Sequence, residues 1–380
     1  DEVLDYVENT KPVKRILLNA LDEKSIKKAI HSLRENSEFL NLKQSALARA
    51  RADWLIGMNL SRAYTLAAQR AGHRIVLPIG RVKTPTLALV VRRERELENF
   101  VPVDYFVIKA KFAHGNGEFM TNWKAKDEQI GLDSEGRLID EVTAKALVDK
   151  FQQENNETGV VTLYETTEKK ESQRLPFSLS ALQVLAGKRF GFEPQLVLDT
   201  AQKLYEKKLT TYPRSDCDYL PENQFEDAKV ILSNLANLDQ SQIASWANKA
   251  DSGIKSRAWN DKKISAHHAI IPTQERCKFS TLTEAEQKLY GLIAQAYIAQ
   301  FYPQHVYLQT KVEVHYLKER FTASGKVIKV LGWKELYSAA DAEEKKEDED
   351  ALLPEMKKKD EVLCKEAFFD KKATRPPARF

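Results

Sequence analysis

The apolar positions along this chain follow two periods, and the switches between them divide it. Residues 1–99 read mainly as helices. "DEVLDYVENT" opens in a helical pattern, and "KRILL" at 14–18 reads as a short buried strand. Ile26, Ala29, Ile30 and Leu33 then fall on one helical face. "SALARARADWLIGMNLSRAYTLAAQRAG" predicts a long helix, rich in good helix formers and closed by Gly72. "IGRVKTPTLALVVRRERELENF" predicts a loop running into a second helix, with Pro85 in its first turn. Near residue 100 the period becomes two. Phe106, Ile108, Ala110 and Phe112 alternate with Val107, Lys109 and Lys111, and "HGNG" marks a hairpin turn. "GVVTLYET" at 159–166 predicts another strand. Helices dominate from about Ser178 to Phe301. Alternation then returns at Val306, Leu308, Thr310, Val312, Val314 and Tyr316, followed by strand-like "KVIKVLGW". The expected architecture is a mixed α and β multidomain chain in which a helical block is inserted into a β domain. The charged, Pro-interrupted "DAEEKKEDEDALLPEMKKKDE" reads as a solvated loop, and no solenoid-type repeat is visible.

Composition refines this picture only in places. The 380 residues, 42% hydrophobic, suffice for two or three domains. A net charge of +4 permits a nucleic-acid partner without demanding one. Cys217, Cys277 and Cys364 are far apart and form no CxxC or zinc pattern, which suits a reduced, cytoplasmic compartment. No apolar run approaches the roughly 20 residues of a membrane span. The chain begins at Asp1 and stops at "TRPPARF", and we expect a fragment cut at both ends.

Candidate chemistry centres on "LTTYPRSDCDYLP". A free phenol is a poor nucleophile at neutral pH and needs a cation or a proton acceptor nearby. In an extended segment Arg214 shares a face with Tyr212, and its fork can hold a phosphate. Asp216 could orient that arginine, and Pro213 stiffens the chain. Yet Tyr-x-Arg also arises by chance. Upstream, Gln202 and Glu206 share a helical face, as a surface polar pair also would. In "DKKISAHHAIIPT", His267 and His268 lack further zinc ligands and could serve a phosphate or simply be satisfied histidines. Arg49, Asp53, Trp54 and Arg62 mix charge with a stacking ring, which suits a single strand or an ordinary amphipathic helix. "PIGRVKTP" offers Gly80 for close backbone approach, Arg81 and Lys83, and a helix start at Thr84, without Walker-loop spacing.

The order of these segments is more specific than any one of them. "RARADWLIGMNLSRAYT", "GRVKTPTLALVVRRE", "LPFSLSALQ", "AQKLYEKKLTTYPRSD" and "NDKKISAHHAIIPT" together resemble the type IA DNA topoisomerases, most closely their bacterial topoisomerase III branch, over nearly the whole chain. The resemblance implies that Tyr212 is a nucleophile forming a 5′-phosphotyrosine link and that Arg214 positions the scissile phosphate. It implies that His267 is the active-site histidine. Gln202, Glu206, Thr211, Ser215 and Asp216 would support them. Arg49, Asp53, Trp54 and Arg62 would grip the strand, with Gly80, Arg81, Val82 and Lys83 forming a DNA-contacting loop. Lys83 departs from the glutamine expected there, which puts a base-edge contact in doubt. The implied fold is part of a four-domain torus: a toprim remnant at 1–38, half of a helical strand-binding domain at 39–99, a β arch at 100–168 and 306–376, and a helical gate at 169–305. Mg²⁺ would serve the intact enzyme through ligands preceding Asp1, with no metal ligand in this chain. The implied partners are single-stranded, negatively supercoiled or catenated DNA, for a monomer in the bacterial cytoplasm, associated with nucleoid or plasmid. ATP is not needed. This piece alone would bind strands but cleave and rejoin them poorly or not at all. The alternative is a non-catalytic strand-binding scaffold. A tyrosine recombinase or rolling-circle nickase would need arginine/histidine or metal-binding histidine sets that are not visible.

Overall fold

The computed structural model describes residues 2–16, 23–126, 129–153, 157–264, 267–337 and 352–380. At the N-terminal end, α1 (Glu2–Tyr6) and α2 (Glu23–Ile30) flank a two-residue antiparallel ladder of β1 (Lys14–Arg15) with β2 (Arg34–Glu35). The strand expected at 14–18 is therefore shorter, and residues 17 and 18 lie outside the described residues. The long helix α3 (Leu40–Arg70) and α4 (Lys83–Glu98) follow, and neither buries a residue. Pro85 sits in the first turn of α4, where its missing N–H costs nothing.

The β domain is a closed six-stranded barrel. Its strands are β3 (Asp104–His114), β4 (Gly117–Lys124), β5 (Thr158–Glu171), β6 (His305–Tyr316), β7 (Glu319–Val330) and β8 (Glu361–Ala373). They close in the order β3-β4-β7-β6-β5-β8, antiparallel throughout. The alternation in β3 does what period two requires: Phe106, Ile108, Ala110 and Phe112 are all buried. Phe112 makes edge-on contacts with Tyr316 and Phe321 at 5.7 and 5.4 Å. One end of the core is sealed by α5 (Glu141–Gln153), which buries Ala144, Val148 and Phe151. Register shifts at Lys111/Phe112 and Val161/Leu163 bend the strands enough to close the cylinder. Two sequence readings need correction here. "KVIKVLGW" is not strand to its end: β7 stops at Val330, and Gly332–Leu336 forms a 3₁₀ turn. The charged stretch is a loop only in part, because 352–360 is largely irregular, residues 341–351 lie outside the described residues, and Glu361 already begins β8.

The inserted block has its own core of α6 (Leu179–Phe190), α7 (Pro194–Glu206), α8 (Ala228–Ala236), α9 (Ser241–Lys249) and α10 (Glu284–Ile298). α10 runs through its middle and buries Leu289, Tyr290, Ile293 and Tyr297. A capping box starts α10: Thr283 and Glu286 satisfy each other's backbone N–H groups. Buried Glu286 also takes the Lys207 ammonium at 2.7 and 2.8 Å, which ties α7 to α10.

Block and barrel meet at a two-strand neck, where Glu171 of β5 pairs with His305 of β6. The 3₁₀ turn at 332–336 closes it. Trp333 donates its backbone N–H to Pro303 O at 3.0 Å and its indole N–H to Glu171 O at 3.1 Å. The Arg174 guanidinium lies over the rings of Trp333 and Tyr337 at 5.6 and 5.1 Å. Gly332 has φ +57°, and a Cβ there would stand 2.3 Å from Pro303 O.

Candidate active site and strand-binding surface

The tyrosine loop begins where α7 ends. Lys208 takes φ +64°, its N–H donates to Tyr205 O, and Leu209 N–H donates to Leu204 O. This is a Schellman stop with lysine where glycine is usual. It turns the chain into an extended run that lies beside residues 269–273. Thr211 N–H donates to Ile271 O at 3.0 Å, and Thr273 N–H donates to Leu209 O at 3.1 Å. The Thr211 hydroxyl donates to Ala269 O at 3.1 Å and accepts from Ile271 N–H at 3.0 Å. The Thr273 hydroxyl donates to Lys208 O. Ser215 anchors the far side, its carbonyl accepting Leu179 N–H and its hydroxyl accepting Cys217 N–H.

Tyr212 projects from this clamped loop and is only half-buried. Its ring stacks on His267 at 5.1 Å and 26°, and meets the Tyr205 ring edge-on at 5.7 Å. Burial, with the neighbouring Tyr212, pushes the Tyr205 phenol up. Gln202 donates to Glu206 at 2.9 Å, so the expected polar pair forms one turn before the loop. Arg214 and Asp216 are both exposed, and no ion pair joins them among the described residues, so Asp216 does not hold the guanidinium here. Thr211 and Ser215 are buried with their hydroxyls committed to the backbone. They shape the loop rather than face a ligand.

The second cluster lies on α3. Gly57, Ser61 and Thr65 fall on one helical face and carry the segment 77–80. Ser61 accepts Ile79 N–H, Thr65 accepts Leu77 N–H, and Gly57 leaves room for Ile79 O. The segment then delivers Arg81 to Asp53, whose two oxygens accept the guanidinium Nε–H at 2.7 and 2.9 Å. That bond raises the already high pKa of Arg81. Gly80 N–H donates to Thr84, and Lys83 opens α4 beside exposed Val82. Arg49, Trp54 and Arg62 are exposed along α3, Trp54 by 65%. Their side chains make no hydrogen bond or ion pair to other described residues.

Two features escaped the sequence reading. A cavity of about 1000 Å³ opens against the barrel and is lined by Lys109, Lys124, Arg137, Lys311 and Lys372. Its cations are scattered over four strands and a loop, so no sequence window shows them together. The other is the structural role of His268, which the adjacent His267 hid. Among the described residues no group of three or more His, Cys, Asp or Glu side chains could hold a metal ion. The described residues do not fit a magnesium site. No described helix is long and apolar enough to cross a membrane.

A helical block set into a β barrel, with two further helices preceding the barrel, is the fold of a type IA topoisomerase. The full-length topoisomerase I from Thermotoga maritima superposes on the whole chain with a TM-score of 0.68 at 22% identity, the chain covering 58% of that protein. The chain belongs to the DNA topoisomerase family, which residues 37–380 match. It is 42% identical to DNA topoisomerase 3 of Vibrio cholerae and 42% identical to that of Salmonella typhimurium. The alignments take in the whole chain and 59% and 58% of those relatives, so the chain spans a little under three-fifths of their length.

Proposed function

We propose that the full-length protein cuts one DNA strand, passes another strand through the break and reseals it. The Tyr212 hydroxyl gives up its proton as its oxygen attacks a backbone phosphorus, the bond from phosphorus to the 3′-oxygen breaks, and that oxygen takes up a proton, so the exchange of one ester for another is balanced. The 5′-phosphate stays esterified to the tyrosine, so resealing is the reverse attack and needs no ATP. Arg214, exposed two residues on, would hold the phosphate as charge builds on it. His267, stacked on the ring, borders the same site. Arg49, Trp54, Arg62 and the Arg81 loop would bind the strand leading to it. The observation that carries this reading is the clamped loop, which holds a half-exposed tyrosine against two rings, with Arg214 exposed two residues on. Relaxation of negative supercoils and decatenation belong to this proposal, as do magnesium held by residues outside the described set, a monomeric state and a cytoplasmic location.

The test uses the full-length protein, magnesium and a single-stranded oligonucleotide labelled at its 3′ end, stopped with denaturant. The expected result is protein-linked label that Tyr212→Phe abolishes. Binding without attachment by either protein would instead favour the non-catalytic scaffold.

A further inference from the structure

We infer that half-buried Gln224 and buried His268 form a positioning pair for the nucleophile loop. The inference rests on the reading that Tyr212 is the nucleophile. The two adjacent histidines face opposite ways, as successive residues of an extended segment must. His267 stacks on Tyr212, whereas His268 points inward and is 3% exposed. Both of its ring nitrogens are used. Nδ1 lies 2.8 Å from Ala269 O, and a carbonyl can only accept, so Nδ1 carries the proton. Nε2 lies 3.1 Å from the Gln224 amide nitrogen, which can only donate, so Nε2 offers its lone pair. The imidazole is thereby fixed as one neutral tautomer, and burial favours the same state by lowering its pKa.

The consequence lies one residue from the chemistry. Ala269 O has two lone pairs, and it takes both the His268 ring N–H and the Thr211 hydroxyl. That same hydroxyl accepts Ile271 N–H. A continuous hydrogen-bonded chain therefore runs from half-buried Gln224 through buried His268 and the Ala269 carbonyl to Thr211, the residue before Tyr212. Among the described residues, Gln224 Oε1 is buried without a partner. Turning the amide over would set that oxygen against the Nε2 lone pair, so the ring dictates the amide's orientation. Gln224 sits in the 3₁₀ turn Glu222–Asp227, which makes this turn the outer anchor of the loop.

The experiment measures single-turnover attachment at saturating oligonucleotide, with dissociation constants determined separately, on the full-length protein. His268→Leu removes both bonds. His268→Asn keeps a donor where Nδ1–H stood. A displacement of about 1 Å in a reacting group costs on the order of 10²-fold in rate. His268→Leu is expected to lose attachment rate on that scale with its dissociation constant unchanged. His268→Asn should recover most of the rate. Wild-type rate in His268→Leu, or equal slowness in two folded variants, would overturn the inference alone. A wild-type protein that never becomes attached would overturn the function reading and this inference with it. Should His268→Leu fail to fold, Gln224→Met is measured in its place. Its rate should also fall, and a wild-type rate would refute the pair. Independently of DNA, ¹⁵N-histidine spectra of this chain should show His268 with a proton on Nδ1 and none on Nε2, and the reverse pattern would refute it.

Discussion

Replacing Gly332 at the neck by alanine should do more damage than the same change at Gly191, the C-cap of α6. A Cβ built there stands 2.3 Å from Pro303 O and 2.6 Å from Gln304 O, both backbone atoms, where real Cβ atoms essentially never approach below 3.0 Å. No rotamer change can relieve this, so the 303–304 backbone or the 332 turn must shift. The left-handed φ of +57° costs a non-glycine residue about 1 kcal/mol. Overpacking against a fixed wall adds roughly 1–3 kcal/mol. The shift also strains the 3.0 Å bond from Trp333 N–H to Pro303 O, worth about 1 kcal/mol. The total is about 3–5 kcal/mol. Gly191→Ala is the control, because Gly191 has φ +70° with nothing within 4 Å of its Cβ position, so it carries only the conformational cost of about 1 kcal/mol. Urea denaturation followed by circular dichroism should show the midpoint of the least stable transition fall several times further for Gly332→Ala than for Gly191→Ala. Equal shifts would refute the steric argument, and so would a larger loss at Gly191.

Three further outcomes follow from other parts of the molecule. Lys207→Ala strips the buried Glu286 carboxylate of its cation and should cost about 2 kcal/mol, less than a wholly buried pair because Lys207 is itself partly exposed and Glu286 keeps the Thr283 N–H. Burial alone would push Glu286 up, but the Lys207 ammonium and Thr283 bonds outweigh it and leave its pKa lowered, so the stabilisation is present above the unfolded value of about 4.3 and fades as pH falls through the folded one; thermal melts of wild type and Lys207→Ala should converge in acid. Asp239, brought down to about 2 by Ser280 and the Phe279 and Ser280 N–H groups, should titrate by NMR well below the usual aspartate value of about 3.9, and a normal titration would contradict the hydrogen bonds at that turn. On the proposed function, Arg49→Ala with Arg62→Ala should weaken single-strand binding and flatten its salt dependence by about 1.4 in log–log slope, at roughly 0.7 per lost phosphate contact; an unchanged slope would remove these arginines from the strand path.

What could be read from the sequence was what local rules control. The alternation of Phe106, Ile108, Ala110 and Phe112 gave β3 because one face of that strand is buried along its whole length. The ends of α3 and α4 were legible in Gly72 and Pro85. β8 was not, because the register shift at Lys111/Phe112 moves it out of simple alternation, so that Val362 and Cys364 are buried but Glu366 is exposed and Ala367 is buried instead. At the site, the Gln202–Glu206 pair followed from helical spacing. The pairing of Asp53 with Arg81 and the clasp of 209–211 by 269–273 join residues 28 and about 60 positions apart, and no window along the chain contains both partners. His268 was hidden for a different reason. Which of two neighbouring histidines faces inward is decided by the register of the segment on Thr211, a tertiary fact.

The neck has one more consequence, in the statistics of the chain. β5 and β6 are antiparallel neighbours, so the barrel has the hydrogen-bond topology of a plain hairpin there, with residues 172–304 in place of its turn. A structureless connector of that length would cost the hairpin roughly 3–4 kcal/mol more closure entropy than a two-residue turn. The helical block removes that penalty by folding: its core brings Gln173 to Tyr302 O at 2.6 Å and so delivers its two ends side by side. Order in the block is thereby converted into register in the barrel, and a protein with residues 172–304 exchanged for a tight turn should still close its six strands.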